Sequence, residues 1–355
     1  MIKVLHVNPH FQLLDTYNRG ILKAKGKNDV IQFDYLVYDE TFDSFPKTIN
    51  GSVFKMINPF KSVRLFAKNL KDVLKENNYD IVHLHLNFLN SLAILAIKFF
   101  NIKVKIVSHH HINKKTTSLK SKLFRFSTKI IINIFSDIKL SDSTRAGAEV
   151  YWGDYIVLRP LIDYNKFLFN SQKRDEARKY LGVDSGTTII GNVSNFIYGK
   201  NQLFLLKILK ILNERHNKKY KLVLYGQDYG TLSKIKQEIN RLCINDEVLI
   251  ESDYPVKDIY NAFDIFVFPS LFEGFGIVSL EAQVNGLQML INENLTSESF
   301  ISKSNTFQLS VDHHDEWVNL IEKIKLDNRV SKYEVSKKFD IAKSSFLFDL
   351  YKKML

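Results

Sequence analysis

Two glutamates occupy the most informative segment of the chain, FPSLFEGFGIVSLEAQ, which runs from Phe268 to Gln283. A predicted strand is followed by a glycine-bearing loop with Glu273, and then by a predicted helix with Glu281 about two turns down. Glycines allow a ligand close to the backbone, and the N–H groups at a helix start favour an anion such as a diphosphate. A carboxylate beside such an anion is best explained as an acceptor of sugar hydroxyls, and Glu281 would reach those of a ribose.

Histidines form a second group of candidate residues, at the ends of two neighbouring predicted strands. They are His83 and His85 in the first, and His109, His110 and His111 in the second. Imidazole is a common metal ligand, so a catalytic metal is one interpretation. Because the sequence places no carboxylate or thiolate beside them, structural or acceptor-contacting roles are favoured over a metal.

Short β-branched runs alternate with segments of helical period, which is typical of an α/β chain with parallel sheets. Ten strands are predicted, at Lys3–Val7, Gln32–Val37, Ile81–His85, Lys103–Ser108, Ile138–Ser141, Thr188–Val193, Lys221–Tyr225, Val248–Glu251, Ile265–Pro269 and Gln288–Asn292. Helical patterns include Phe60–Glu76, Leu89–Phe100, Leu203–Glu214 and Leu232–Leu242. Each series of strands is a doubly wound domain by itself, so we expect two Rossmann-like units in tandem.

The domain boundaries follow from this pattern and from the chain length of 355 residues. We predict an N-terminal domain over residues 1–165, a second domain over 166–330, and a helical segment over 331–355 that crosses back to the first. Ligands of such sheets bind at the carboxyl ends of the strands, so two facing domains would form a deep cleft.

The formal charge of +12 is unevenly distributed. Residues 1–160 hold 24 Lys/Arg against 13 Asp/Glu, a net of +11, whereas residues 161–355 hold 26 against 25. No acidic residue lies between Asp80 and Asp137. An N-terminal half with this excess of positive charge favours an anionic partner: nucleic acid, anionic lipid or a phosphorylated small molecule.

The segment from Lys114 to Phe135 mixes cations with large apolar side chains. Its candidate membrane or acceptor contacts are Lys114, Lys115, Lys120, Lys122 and Arg125. A helix of this kind can lie on an anionic membrane surface, although a core-facing helix with a solvated face explains it as well. Nucleic acid is not expected as a partner, because the basic half lacks a recognition module.

The composition is that of a folded globule, with 45% hydrophobic and 25% charged residues. The single cysteine, Cys243, excludes intramolecular disulfides and fits a reducing compartment. No signal peptide and no apolar run of about 18 residues is apparent, so a cytoplasmic location at the inner face of the membrane is expected.

The order of motifs resembles that of the retaining GT-B glycosyltransferases of family 4, most closely those of bacterial capsule and exopolysaccharide synthesis. Glu273 and Glu281 match the E-x7-E motif of that family within DIFVFPSLFEGFGIVSLEAQVNGLQMLINENLTSE. IIGNVSNFIYGKNQLFLLKIL, LVLYGQD, RPLID, DIVHLHL and KIVSHHH follow the expected order over most of the chain.

The resemblance implies two facing Rossmann-like domains and hexosyl transfer, with retention, from a nucleotide sugar, most often a UDP-sugar, to a glycan or lipid-linked acceptor. Lys200 would neutralise the donor diphosphate, Glu281 would hold the ribose, and Glu273 would contact the transferred sugar. Gly274, Phe275 and Gly276 would offer backbone groups. His110, or its neighbour His109, would lie near the donor sugar. No metal or other cofactor is implied.

Asn195 occupies a position at which the family usually has arginine. An amide can donate a hydrogen bond but supplies no charge. This departure supports a competing interpretation, a non-catalytic accessory protein that recognises a glycan or a partner. A sugar-nucleotide epimerase on the same fold is a third interpretation. A second departure is the absence of the glycine-rich loop after the first strand, where NPHFQLLDTYNRG stands.

Overall fold

The computed structural model describes residues 1–9, 31–38, 51–111, 118–216, 219–301, 304–326, 329, 339 and 345–355. The chain divides into two compact units. The first comprises Met1–Ile162 and Lys338–Leu355, and the second comprises Asp163–Lys337.

The first unit contains a seven-stranded parallel sheet in the order β3-β2-β1-β4-β5-β6-β7. Its strands are β1 (Ile2–Asn8), β2 (Ile31–Val37), β3 (Val53–Lys55), β4 (Ile81–Leu84), β5 (Lys105–His110), β6 (Ile138–Ser141) and β7 (Ile156–Val157). Its helices before residue 162 are α1 (Val63–Asn77), α2 (Asn90–Phe99), α3 (Leu119–Phe135) and α4 (Thr144–Val150).

The second unit contains a six-stranded parallel sheet in the order β10-β9-β8-β11-β12-β13. Its strands are β8 (Thr188–Val193), β9 (Tyr220–Tyr225), β10 (Val248–Glu251), β11 (Ile265–Phe268), β12 (Gln288–Asn292) and β13 (Thr306–Leu309). Its helices are α5 (Ser171–Tyr180), α6 (Gln202–Arg215), α7 (Leu232–Leu242), α8 (Val256–Ile259), α9 (Ile277–Val284) and α10 (His314–Lys323). The C-terminal helix α11 (Ser345–Met354) belongs to the first unit.

Alternation along β1 supplies the core on both faces of the first sheet. Leu5 and Val7 pack in one cluster with Phe66 of α1. Val4 packs in the opposite cluster with Phe348 of α11. The C-terminal helix therefore covers a face of the sheet that would otherwise expose apolar side chains.

An ion-pair cluster fastens α5 to the second sheet. The Asp264 carboxylate accepts hydrogen bonds from Arg174, at 2.5 Å, and Arg178, at 3.2 Å, and also from the backbone N–H of Ile189, at 2.7 Å. Each charge has a partner, as buried ionic groups require. The start of β11, which leads to the E-x7-E loop, is thereby fixed against β8.

The α/β class and the two parallel Rossmann-like sheets are confirmed. All ten predicted strands are present, with ends that differ by at most two residues, as in β5, which begins at Lys105 rather than Lys103. The short strands β3, β7 and β13 were not predicted. Most of the predicted segment at 331–355 lies outside the described residues, apart from Phe339 and α11.

Candidate active site

The loop between β11 and α9 builds the first part of the site. Gly276 has a φ of +81°, a left-handed conformation that glycine adopts without strain. A Cβ at this position would also lie 3.2 Å from the ring of Phe268. The hydroxyl of Ser279 donates to the carbonyl of Gly276 over 2.7 Å. The start of α9, with its positive dipole end, is therefore held at the carboxyl edge of the sheet.

Lys200 and Glu273 are brought into direct contact at this edge. The ammonium of Lys200 donates a hydrogen bond to Oε1 of Glu273, and it also lies 5.4 Å from the ring centroid of Phe268. Both side chains are largely buried, with 21% and 15% exposed. The two residues are 73 positions apart in sequence, so their meeting is a property of the fold.

Close packing of two loops produces this contact. The N–H of Leu271 donates to the carbonyl of Gly199 over 2.8 Å. A Cβ on Gly199 would lie 2.4 Å from Cζ of Phe272. Any larger residue at Gly199 would therefore push apart the loops that carry Lys200 and Glu273.

Glu281 is oriented by a buried tyrosine that the sequence did not indicate. The hydroxyl of Tyr260 donates to Oε2 of Glu281 over 2.6 Å. Burial, together with the Glu281 carboxylate, raises the pKa of Tyr260 well above its usual value. Tyr260 is therefore a neutral donor, and Glu281 is a carboxylate with one oxygen already bound.

Asn195 lies just after β8, the strand that pairs with β11, and its side chain is directed towards the end of β9. Its side-chain oxygen accepts from the N–H of Gln227 over 3.3 Å, and its carbonyl accepts from Gln202 over 3.0 Å. These contacts place the amide against the end of β9, whereas the Lys200 ammonium is directed to Glu273. Gly274 and Phe275 are buried beside Glu273, in the loop before α9.

The predicted histidine of the first unit, His110, is 1% exposed at the end of β5. Its ring packs edge-on against Phe88, with 5.0 Å between centroids. His109 and His111 lie instead with His83 and His85, in agreement with the alternation of side chains along a strand.

The expectation that no carboxylate accompanies these histidines is wrong. Asp142 lies 3.0 Å from Nε2 of His109 and accepts a hydrogen bond of 2.9 Å from Nδ1 of His111. It comes from the end of β6, the strand that pairs with β5. Because the sequence separates Asp142 from His111 by 31 residues, only the pairing of the strands shows their proximity.

The predicted membrane or acceptor contacts are only partly among the described residues, and those that are described differ in environment. Lys114 and Lys115 lie outside the described residues. Lys120 and Lys122 are exposed, next to the exposed apolar side chain of Leu123. Arg125 is turned inward, where its guanidinium pairs with Glu149 and stacks on Phe88 at 4.4 Å.

A cavity of about 310 Å³ lies beside Arg125. Its lining is mostly apolar and comprises Phe60, Leu86, Asn87, Phe88, Leu89, Ser121, Phe124 and Arg125. Among the described helices, none combines the length and the hydrophobicity that a membrane-spanning segment needs.

Similarities to known proteins agree with this architecture. The chain is 28% identical to EpsF of Bacillus subtilis (strain 168) over 322 residues, which is 83% of this chain and 80% of EpsF. It is 26% identical over 358 residues to the capsular polysaccharide biosynthesis glycosyltransferase CapH of Staphylococcus aureus, which is 96% of each chain. The crystal structure of Anabaena HepE in complex with UDP and glucose superimposes with a TM-score of 0.79, at 18% identity over the whole of both chains.

Two parallel Rossmann-like units of this kind define the GT-B fold of glycosyltransferases. Residues 173–340, which carry Lys200, Glu273 and Glu281, match the family described as Glycosyl transferases group 1. The chain therefore contains a glycosyl transferases group 1 domain, and it is a glycosyltransferase.

Proposed function

We propose that the protein moves a hexosyl group, with retention of configuration, from a UDP-sugar to a glycan or lipid-linked acceptor of a bacterial surface polysaccharide. The observation that carries this proposal is the convergence of Lys200, Glu273 and the start of α9 at the carboxyl edge of the second sheet. CapH is named as a capsular polysaccharide biosynthesis glycosyltransferase, which supports a role in surface polysaccharide synthesis. The structure of HepE in complex with UDP supports UDP as the nucleotide of the donor.

The contact between Lys200 and Glu273 suggests how the donor is received. Each charge neutralises the other, and a nucleotide sugar would offer both of them a new partner. Its diphosphate would take the Lys200 ammonium and the N–H groups at the start of α9, while a sugar hydroxyl would donate to Glu273. The pairing therefore keeps both side chains in place until the donor binds.

Glu281 completes the donor contacts. With Oε2 oriented by the hydroxyl of Tyr260, the Glu281 carboxylate would accept hydrogen bonds from the two hydroxyls of the ribose. In the transfer step, the bond from the anomeric carbon to the diphosphate breaks and a bond to the acceptor oxygen forms on the same face. The departing diphosphate oxygen takes the acceptor proton, so we propose no metal and no other cofactor.

The acceptor side of the proposal is placed on the first unit. His110 would contact the donor sugar or acceptor at the end of β5. The exposed Leu119, Leu123 and Phe126, together with Lys120 and Lys122, would rest on an anionic membrane, where lipid-linked sugars are found. The protein would then work in the cytoplasm, at the inner face of the cell membrane.

A donor panel tests the proposal. The purified chain is incubated with UDP-, GDP- and TDP-sugars and with membrane extracts, and products are read by mass spectrometry. Transfer or slow hydrolysis of one UDP-sugar supports the proposal. Turnover without any acceptor into an isomeric sugar nucleotide would indicate an epimerase, and no UDP binding at millimolar concentration by calorimetry would indicate the non-catalytic accessory protein.

A further inference from the structure

Buried side chains at one edge of the first sheet form a single continuous line of contacts. In order along the line, the members are Tyr351, His83, His109, Asp142, His111, His85 and His6. The line joins the ends of β1, β4, β5 and β6 to the C-terminal helix α11. It has one carboxylate, near its middle.

The arm on the tyrosine side has three contacts. The hydroxyl of Tyr351 lies 2.5 Å from Nδ1 of His83, and Nε2 of His83 lies 3.2 Å from Nδ1 of His109. Nε2 of His109 lies 3.0 Å from Oδ1 of Asp142, within hydrogen-bond distance although less well aligned than the other contacts.

The arm on the other side also has three contacts, each of 2.9 Å. Nδ1 of His111 lies at that distance from Oδ2 of Asp142. Nε2 of His111 meets Nδ1 of His85, and Nε2 of His85 meets Nδ1 of His6. The remaining nitrogen of His6, Nε2, is buried and has no hydrogen-bond partner.

The proton positions follow from the carboxylate. An ionised Asp142 only accepts, and a nitrogen lone pair 3.0 Å from its oxygen would be repelled, so His109 must carry a proton on Nε2 and His111 on Nδ1. The other nitrogen of each neutral ring is then an acceptor. His83 must therefore donate through Nε2–H, and His85 through Nδ1–H.

The same alternation of donor and acceptor nitrogens fixes the proton positions at both ends of the line. Nδ1 of His83 accepts from the hydroxyl of Tyr351, and Nε2 of His85 accepts from Nδ1–H of His6. Every contact then has one donor and one acceptor, with all the rings neutral. The single nitrogen left over is Nε2 of His6, which is buried and has no hydrogen-bond partner.

We infer that Asp142 is a positioning residue that sets the tautomers of five histidines through this directed chain of hydrogen bonds. Three rings carry the proton on Nδ1: His6, His85 and His111. Two carry it on Nε2: His83 and His109. This line of hydrogen bonds connects α11 to the sheet through Tyr351. The N–H of Asp142 also donates to the carbonyl of His110 over 3.2 Å. Any effect of Asp142 on sugar transfer, exerted through His110, rests on the proposed function. The assignment of the histidine tautomers does not rest on it.

A metal site would require different distances. Among the described residues, two groups of three histidines have ring nitrogens that a metal could use: His6, His83 and His85, and His85, His109 and His111. A tetrahedral Zn²⁺ with nitrogens at 2.0–2.1 Å separates them by about 3.3 Å. The contacts of 2.9 Å on both sides of His85 are shorter and suit a shared proton.

Nitrogen NMR of the ring atoms tests the inference directly. The full chain is labelled with ¹⁵N-histidine and studied without donor at pH 7.5, and each ring is assigned by single histidine substitutions. We expect three Nδ1–H and two Nε2–H tautomers in the cluster. A common tautomer in all five rings, an imidazolium at this pH, or stoichiometric Zn²⁺ binding with loss of the N–H signals would overturn it.

Asp142→Asn gives a second, sharper result. An amide accepts one N–H and must donate to the other ring, so one arm has to reverse. Reversal of either arm leaves one buried donor without an acceptor, the hydroxyl of Tyr351 or Nε2–H of His6. Either His83 and His109 should switch to Nδ1–H, or His6, His85 and His111 should switch to Nε2–H.

The matched control is Glu149→Gln, which removes another carboxylate of the same unit, one paired with Arg125 rather than with a histidine. It should leave all five tautomers unchanged. If Asp142→Asn folds and keeps the wild-type pattern, the carboxylate does not set the tautomers and the inference fails. If the variant does not fold, the wild-type spectrum alone decides.

Discussion

The hydroxyl of Tyr260 donates a 2.6 Å hydrogen bond to Oε2 of Glu281. The tyrosine is fully buried between α8 and β11, and its ring packs against Phe263 and Phe266 with 5.9 Å between centroids. The second glutamate of the E-x7-E motif thus depends on a residue 21 positions before it.

Replacing Tyr260 by phenylalanine should weaken donor binding while preserving the fold. The ring contacts remain, but Glu281 loses the hydrogen bond that orients it. We expect the KM for the nucleotide sugar to rise by up to about tenfold, or ~1.4 kcal/mol, with a small change in kcat. Steady-state kinetics checks this, with the melting temperature as control. An unchanged KM would show that Tyr260 has no part in orienting Glu281.

Asn195→Arg should strengthen donor binding. It places a cation at the strand end beside the Lys200 loop, and a charge-assisted hydrogen bond is stronger than a neutral one by ~0.5–2 kcal/mol. We expect a decrease of about 2- to 30-fold in the Kd for UDP, measured by calorimetry. Asn195→Gln keeps a neutral amide and should leave the Kd near that of the parent. Equal affinities for the arginine and glutamine variants would contradict this placement.

Stability should fall in mild acid because of the buried histidines. Burial, followed by the neighbouring His109, lowers the pKa of His6 to about 3. Burial, followed by His111, lowers the pKa of His109 to about 4, against the attraction of Asp142. The pKa values of His83 and His85 are also well below 6.5, with burial as the main cause.

The sign follows from proton binding. Between about pH 4 and 6.5 the unfolded chain binds protons that the folded chain does not, so the free energy of unfolding rises with pH and levels off above about 6.5. Each histidine contributes up to ~1.4 kcal/mol per pH unit. Asp142 acts in the same direction at lower pH. Burial would raise its pKa, but the contacts with His111 and His109 outweigh burial and hold it well below its usual range. Urea unfolding from pH 4.5 to 8 measures the curve, and a flat curve would contradict neutral buried histidines.

Charge reversal on α3 should release the protein from membranes. Lys120→Glu/Lys122→Glu replaces two exposed cations by anions, and each cation near an anionic surface contributes ~1 kcal/mol. Flotation with phosphatidylglycerol liposomes at low salt should recover the parent but little of the variant. Lys234→Glu/Lys236→Glu makes the same charge change on exposed residues of α7 and should float like the parent. A parent chain that remains at the bottom would defeat the membrane proposal.

The regular part of the fold was predictable because buried parallel strands are short β-branched runs. The runs at Ile138–Ser141, Thr188–Val193, Val248–Glu251 and Gln288–Asn292 were predicted with both ends correct. The strands β3 and β7 were missed because they have only three and two residues, too few for a period to show. The four-residue edge strand β13 was missed as well.

The candidate site was predictable where its residues are close in sequence. Glu273 and Glu281 belong to one loop and one helix, so spacing was informative. Asp142 contacts histidines from a neighbouring strand, and Tyr260 contacts Glu281 in a helix that follows later in the chain. The spacing of residues in the sequence does not indicate either contact. The inward turn of Arg125 was equally hidden, because its partner Glu149 lies 24 residues later, in α4.

Substitution of Lys200 and of Glu273 tests the assignment of the donor site most directly. With the UDP-sugar found by the donor panel, product formation by Lys200→Ala and by Glu273→Gln is compared with that of the parent, and Lys207→Ala, on the exposed face of α6, is the matched control. We predict that both site variants lose at least about tenfold in kcat/KM, or ~1.4 kcal/mol, while the control retains its activity. Full transfer activity in either folded site variant would contradict the assignment of this edge of the second sheet as the donor site.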